Sequence, residues 1–139
     1  MSEIQEIISS VEGSVGRIHL NNPKALNSLT SGMCETMREL LDAWRDDDTV
    51  GAVIVTSEGE RAFCAGGDVR QVFSAGQEDP VAARRFFQIE YAMDTAIAEF
   101  PKPYISLIDG IVMGGGLGIS VNGRYRVMGD NIMAAMPET

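Results

Sequence analysis

Two glycine-rich turns and one acid carry the residues best suited to chemistry. The first turn, Ala62-Phe63-Cys64-Ala65-Gly66-Gly67-Asp68, follows the apolar run Ala52-Val53-Ile54-Val55. The second, Met113-Gly114-Gly115-Gly116-Leu117-Gly118, follows Tyr104-Ile105-Ser106-Leu107-Ile108. A glycine has no Cβ, so its backbone can approach a ligand closely. Two such turns from separate strands can aim two backbone N–H groups at one developing negative charge, as an oxyanion hole does. Glu138, in Met136-Pro137-Glu138-Thr139, would then supply an acid–base or nucleophilic carboxylate. The chemistry this points to is acyl transfer.

Alternating strands and helices must position these turns. Ile4 to Val11 and Val15 to Leu20 read as two strands joined at Glu12-Gly13-Ser14, and Asn21-Asn22-Pro23 ends the pair. Met33, Met37, Leu40, Leu41 and Trp44 recur at helical spacing, which predicts a helix from about Thr30 to Arg45 capped by Thr30 or Ser31. Asp46-Asp47-Asp48 is a solvated exit loop, since acids suit a helix C-terminus poorly. Gly51 to Thr56 is a continuous apolar run expected of a strand covered on both faces. A short helix is expected over Val69 to Phe73, and a long one over Val81 to Glu99 with Phe86, Ile89, Met93 and Ile97 along one stripe. Pro101-Lys102-Pro103 stops it. A strand from Tyr104 to Ile108, a short helix through Val121, and two short strands near Tyr125–Met128 and Ile132–Ala134 follow. The alternation predicts a layered α/β fold in one domain.

Composition narrows the partners. With 45% hydrophobic residues in 139, the chain has material for a real core. Eleven basic against twenty acidic side chains, a formal charge of −9, argue against a nucleic acid, whose phosphates need Lys and Arg. No apolar stretch is long enough to span a bilayer. Glu3, Glu6 and Glu12 near the N-terminus fit neither a secretory signal nor a transit peptide, and Cys34 and Cys64 are far apart with only His19 as a further ligand. The expectation is a cytoplasmic protein with reduced thiols and no metal. His19 itself is taken as structural.

Three segments in order, Asn22-Pro23-Lys24-Ala25-Leu26-Asn27-Ser28-Leu29, Phe63-Cys64-Ala65-Gly66-Gly67-Asp68-Val69 and Asp109-Gly110-Ile111-Val112-Met113-Gly114-Gly115-Gly116, resemble the crotonase (enoyl-CoA hydratase/isomerase) superfamily. The resemblance runs from about Ile4 to Thr139. Within the superfamily, Phe87-Gln88-Ile89-Glu90-Tyr91, Phe100-Pro101-Lys102-Pro103, the stretch Met113 to Ser120, and Met136-Pro137-Glu138-Thr139 are similar to 3-hydroxyisobutyryl-CoA hydrolases. The resemblance implies a crotonase-like α/β spiral of strand-strand-helix units and an acyl-CoA substrate, with a role in valine catabolism. It implies oxyanion donors at Gly67 and Gly115, and at Glu138 a catalytic carboxylate acting as base or as nucleophile. It places Glu90 on the substrate and Lys24, Ala25 and Leu26 along the nucleotide end of coenzyme A, and counts Ala65, Gly66, Asp68 and Gly114 among the substrate-binding residues. Asp68 is expected to fix its turn. No cofactor is implied beyond the coenzyme A of the substrate.

Gly118 separates hydrolase from hydratase, because the superfamily's hydratases resemble one another in carrying a catalytic glutamate at this position. An enoyl-CoA hydratase or isomerase on another acyl-CoA stays open as the alternative, as does a non-catalytic truncated subunit. A dinucleotide-binding module does not fit, since Ile119 stands where the G-x-G-x-x-G spacing from Gly114 needs glycine. The resembled hydrolases continue beyond the segment matching Glu138, with an aspartate in a Pro-Asp step and further helices. The chain is therefore expected to be an N-terminal portion of such a fold. A homo-oligomer, or a second chain supplying the rest, would cover apolar surface around Ile111, Val112 and Met113.

Overall fold

The computed structural model describes residues 5–68 and 80–136. Ile4, the expected helix at Val69 to Phe73, and Glu138 with its neighbours lie outside the described residues. β1 (Ile7–Glu12) and β2 (Val15–Leu20) form an antiparallel hairpin. Every later pairing is parallel, as crossing helices dictate. After a 3-10 turn at Pro23–Ala25, α1 (Ser31–Arg45) crosses to β3 (Ala52–Ser57), which lies beside β2. Thr30 is the cap, its hydroxyl accepting the Met33 N–H at 3.2 Å. At the far end of α1, Asp47 folds the acidic loop on itself by accepting the Thr49 N–H and hydroxyl at 2.9 and 2.6 Å.

β4 (Ala62–Cys64) is a strand inside what reads in the sequence as turn alone. α2 (Pro80–Glu99) then leads to β5 (Tyr104–Met113), α3 (Gly115–Val121) and β6 (Tyr125–Ala135). β5 does not end at Ile108 as expected. Its first half pairs with β3 and its second half with β4, while β6 lies along its other edge. The two short strands expected near Tyr125 and Ile132 are the two blocks of β6. Between them Gly129, Asp130 and Asn131 stand opposite Asp109 alone, a bulge that lets both strands continue through an apparent break.

The core lies between the sheet and the helices. Ile18, Leu20, Val53 and Val55 from the sheet meet Met33, Met37, Leu41 and Trp44 of α1 and Met93 and Ile97 of α2. Fully burying each such side chain contributes about 1.5–3 kcal/mol. The apolar surface foreseen at Ile111–Met113 is not open. Val112 is fully buried because β4 and β6 flank it, and Ile111 and Met113 are half-buried. The exposure moves outward to β6, where Tyr125, Val127, Met128 and Met133 are each more than half exposed.

Candidate active site

The segment after β2 is held in an unusual backbone conformation. Leu26 and Asn27 have φ of 54° and 56°, left-handed values rare for residues with a side chain. The Asn27 amide holds them there. Its oxygen accepts the Asn22 N–H at 2.9 Å, and its nitrogen donates to the Glu58 and Ala62 carbonyls at 2.9 and 3.0 Å. The loop is thereby tied to the start of β4, and the Ala65 N–H adds a bond to the Leu26 carbonyl at 3.0 Å. A cavity of about 350 Å³ opens here, lined by Lys24, Ala25, Leu26, Ala65, Gly67 and Asp68 together with Ser28. Residues chosen from two distant segments thus share one wall.

The two glycine turns meet at the inner edge of this cavity. Leu29 bridges Gly67 in parallel: it donates to the Gly66 carbonyl at 2.7 Å and accepts the Asp68 N–H at 2.8 Å. The Gly67 N–H takes no part in that ladder. On the other turn, the α3 bonds begin with Leu117 and Gly118 donating to the Gly114 carbonyl at 2.9 and 3.2 Å, so the Gly115 N–H precedes them. A methyl group at Gly115 would stand 3.3 Å from the Gly67 nitrogen, and one at Gly66 3.4 Å from the Gly115 nitrogen. The two N–H groups therefore adjoin. Gly66 at φ 110° and Gly114 at φ 50° supply the backbone turns that bring them together.

A second cavity, about 540 Å³, lies on the far side of Gly115, with Glu90, Gly114 and Gly118 in its wall. Glu90 is only 7% exposed, which removes it from the class of solvated helix acids. Its carboxylate sits directly over Gly115, where the Oε1 atom occupies the space a Cβ would need. One turn further along α2, Asp94 faces the same cavity over Gly118: a methyl there would meet its two oxygens at 3.1 and 3.2 Å. Burial pushes the Asp94 carboxyl up from 3.8 to about 6. The sequence reading missed Asp94, although its i, i+4 spacing from Glu90 places both on one helix face.

The remaining candidates divide plainly. At Asp68 the backbone N–H donates to the Leu29 carbonyl, which closes the turn whatever the side chain does. His19 is structural, with its ring nitrogens bonded to Thr56 Oγ1 at 2.7 Å and Glu58 Oε2 at 2.9 Å. Cys34 and Cys64 are free, buried thiols, both pushed up chiefly by burial, and the described residues contain no cluster fit to hold a metal ion.

The chain is similar along nearly all its length to known proteins. It is 46% identical over 134 residues to the mitochondrial 3-hydroxyisobutyryl-CoA hydrolase of Xenopus tropicalis, and 41% identical over 135 residues to that of Homo sapiens. These matches cover 96% and 97% of the chain but 35% of either relative. Among solved structures, a carnitinyl-CoA dehydratase from Mycobacterium thermoresistibile superposes with a TM-score of 0.94 at 50% identity, over 97% of the chain and 40% of that protein. An enoyl-CoA hydratase from Rhodobacter sphaeroides gives 0.92 at 38% identity, over 96% and 40%. The crotonase-like fold is thus established.

The cytoplasmic expectation is overturned, because the hydrolases matched are mitochondrial. Compartment is written in address segments rather than in the folded domain, so charge and thiol content were poor guides to it. The enoyl-CoA hydratase/isomerase family pattern matches residues 15–139, and the chain belongs to that family.

Proposed function

We propose that this chain forms the coenzyme A and acyl sites of a thioesterase acting on 3-hydroxyisobutyryl-CoA or a similar short 3-hydroxyacyl-CoA, as in valine breakdown. The observation that carries the proposal is the adjoining pair of Gly67 and Gly115 N–H groups beneath the buried Glu90 carboxylate. The nucleotide end of the substrate lies along Lys24, Ala25 and Leu26, between walls formed with Ala65 and Asp68. The thioester carbonyl sits at the seam between Gly66–Gly67 and Gly114–Gly115. As water or a carboxylate attacks, negative charge gathers on the carbonyl oxygen, and the two N–H groups stabilise it in place. The C–S bond then breaks, and the coenzyme A thiolate leaves with the proton given up by the attacking water. If a carboxylate attacks first, water then cleaves the mixed anhydride, giving the free acid and that proton. Glu138 is assigned the attacking or base role. The acyl group projects into the Glu90 cavity, where a carboxylate accepting a hydrogen bond from the 3-hydroxyl favours hydroxyacyl chains. No cofactor is required beyond the coenzyme A of the substrate.

Hydrolysis is preferred over hydration because position 118 is glycine, and names among relatives at 40–46% identity agree. The dehydratase name of the 50%-identical structure is the competing lead. The two are separated by following free thiol. 3-Hydroxyisobutyryl-CoA should yield coenzyme A, and Glu138→Gln should slow that release about 10²–10⁴-fold at unchanged substrate-analogue affinity. Rapid hydration of crotonyl-CoA without thiol release would hand the site to the hydratase reading.

The exposed apolar residues of β6 further support assembly with copies of the chain or with a second polypeptide. Light scattering should then give a mass above the 15.0 kDa of one chain, and a strictly monomeric mass would rule assembly out.

A further inference from the structure

Glu90 and Asp94 form a matched pair against α3. Their carboxylates cover Gly115 and Gly118, and both face the 540 Å³ cavity. Glycine at 118 therefore does more than remove a carboxylate from α3: it makes room for one from α2. The Asp94 Oδ1 atom is buried and has no hydrogen-bond partner among the described residues. A buried polar atom left unpaired is costly, so one lining a cavity is a candidate for pairing with what enters it.

We propose that Asp94 is a specificity-determining residue that, in its neutral form, donates a hydrogen bond to the hydroxyl oxygen of the acyl chain while Glu90 accepts the hydroxyl proton. The inference rests on the acyl-CoA reading above. A hydroxyl is both donor and acceptor, and a carboxyl–carboxylate pair satisfies both of its roles. A plain acyl chain satisfies neither role and leaves the buried Asp94 Oδ1 atom without a partner among the described residues, and a site built to bond a hydroxyl discriminates strongly against a chain that lacks it.

The protonation this needs is supplied by the surroundings. Burial already raises Asp94 to about 6, and an acyl chain filling the cavity removes more water from it. Among the described residues the titratable neighbours are Glu90 and Tyr91 on α2, Tyr104 on β5, Cys64 on β4 and Cys34 on α1, while α3 contributes none. Tyr104 and both thiols are pushed up by burial and stay neutral in the working range, and among the described residues that line the cavity there is no cation. The sign follows. Asp94 donates below about pH 6 and loses the proton as pH rises, so hydroxyacyl preference falls with increasing pH.

The test measures dissociation constants of hydrolysis-resistant ketone analogues of 3-hydroxyisobutyryl-CoA and isobutyryl-CoA from pH 5.5 to 8. The wild type should prefer the hydroxyl analogue by about tenfold or more at pH 5.5, with the preference shrinking toward pH 8. Asp94→Asn, which donates at every pH, should keep the preference and flatten its pH dependence. Asp94→Leu should lose the preference throughout. A pH-independent ratio in the wild type, an unchanged ratio in Asp94→Leu, or loss of the preference in Asp94→Asn would each overturn the assignment. Failure to release thiol from either thioester would count against the hydrolase reading alone, because the binding ratios do not depend on turnover.

Discussion

Gly115→Pro is expected to lower thioester turnover by about 10²–10³-fold, the cost of one oxyanion donor, or roughly 3–4 kcal/mol of transition-state stabilisation. Proline removes the N–H outright, and at the first position of α3 its fixed φ is compatible with a helix. The substitution also adds a Cβ, which runs into Glu90 Oε1. Gly115→Ala separates the two effects, since it brings the same Cβ and keeps the N–H. Glu90 must yield in both variants. The fraction of the loss seen only with proline belongs to the hydrogen bond. Steady-state thiol release, with circular dichroism to confirm folding, reads the difference. Equal turnover in the alanine and proline variants would remove the Gly115 N–H from the mechanism.

The helices were legible because their apolar stripes repeat at 3.6 residues and their ends carry local signals such as Thr30 and the Pro101-Lys102-Pro103 stop. The glycine turns were legible as density of glycine, and their partnership as a resemblance. What escaped depends on pairing between distant segments. β4 is three residues long, too short for any periodicity, and exists because the second half of β5 lies beside it. Asp109-Gly110 looks like a chain break, yet its bulge is absorbed by β6, twenty residues on, which cannot be seen locally. Asp94 was hidden for the same reason. Its spacing from Glu90 is plain, but whether an acid is solvated or buried is decided by what packs opposite, here two glycines on a different helix. Glu90 itself was identified only through the resemblance, since nothing about a lone helix glutamate announces burial.

Gly110→Ala is expected to be strongly destabilising, at about 2–5 kcal/mol. Gly110 has φ 75°, and a side chain held in the left-handed region costs roughly 1–2 kcal/mol. An added Cβ also meets the Arg61 carbonyl oxygen, with the Ala62 nitrogen at 3.1 Å. These are backbone atoms and cannot rotate aside, so overpacking adds about 1–3 kcal/mol. The Arg61 oxygen is already engaged, accepting the Ile111 N–H at 3.0 Å where β4 begins to pair with β5. Pushing it away unzips the pairing that sets Gly66–Gly67 against Gly114–Gly115, so activity should fall along with stability. Gly13→Ala is the control, with φ 62° and open space around its Cβ position. It carries the conformational cost alone, about 1–2 kcal/mol. Urea denaturation midpoints of the two variants should therefore separate clearly, with Gly110→Ala the lower, because a domain with roughly 5–15 kcal/mol to lose is sensitive to the difference. Coincident midpoints would mean that the bulge opposite Asp109 absorbs the methyl group, and that the close approach of Arg61 does not hold the two glycine turns in register.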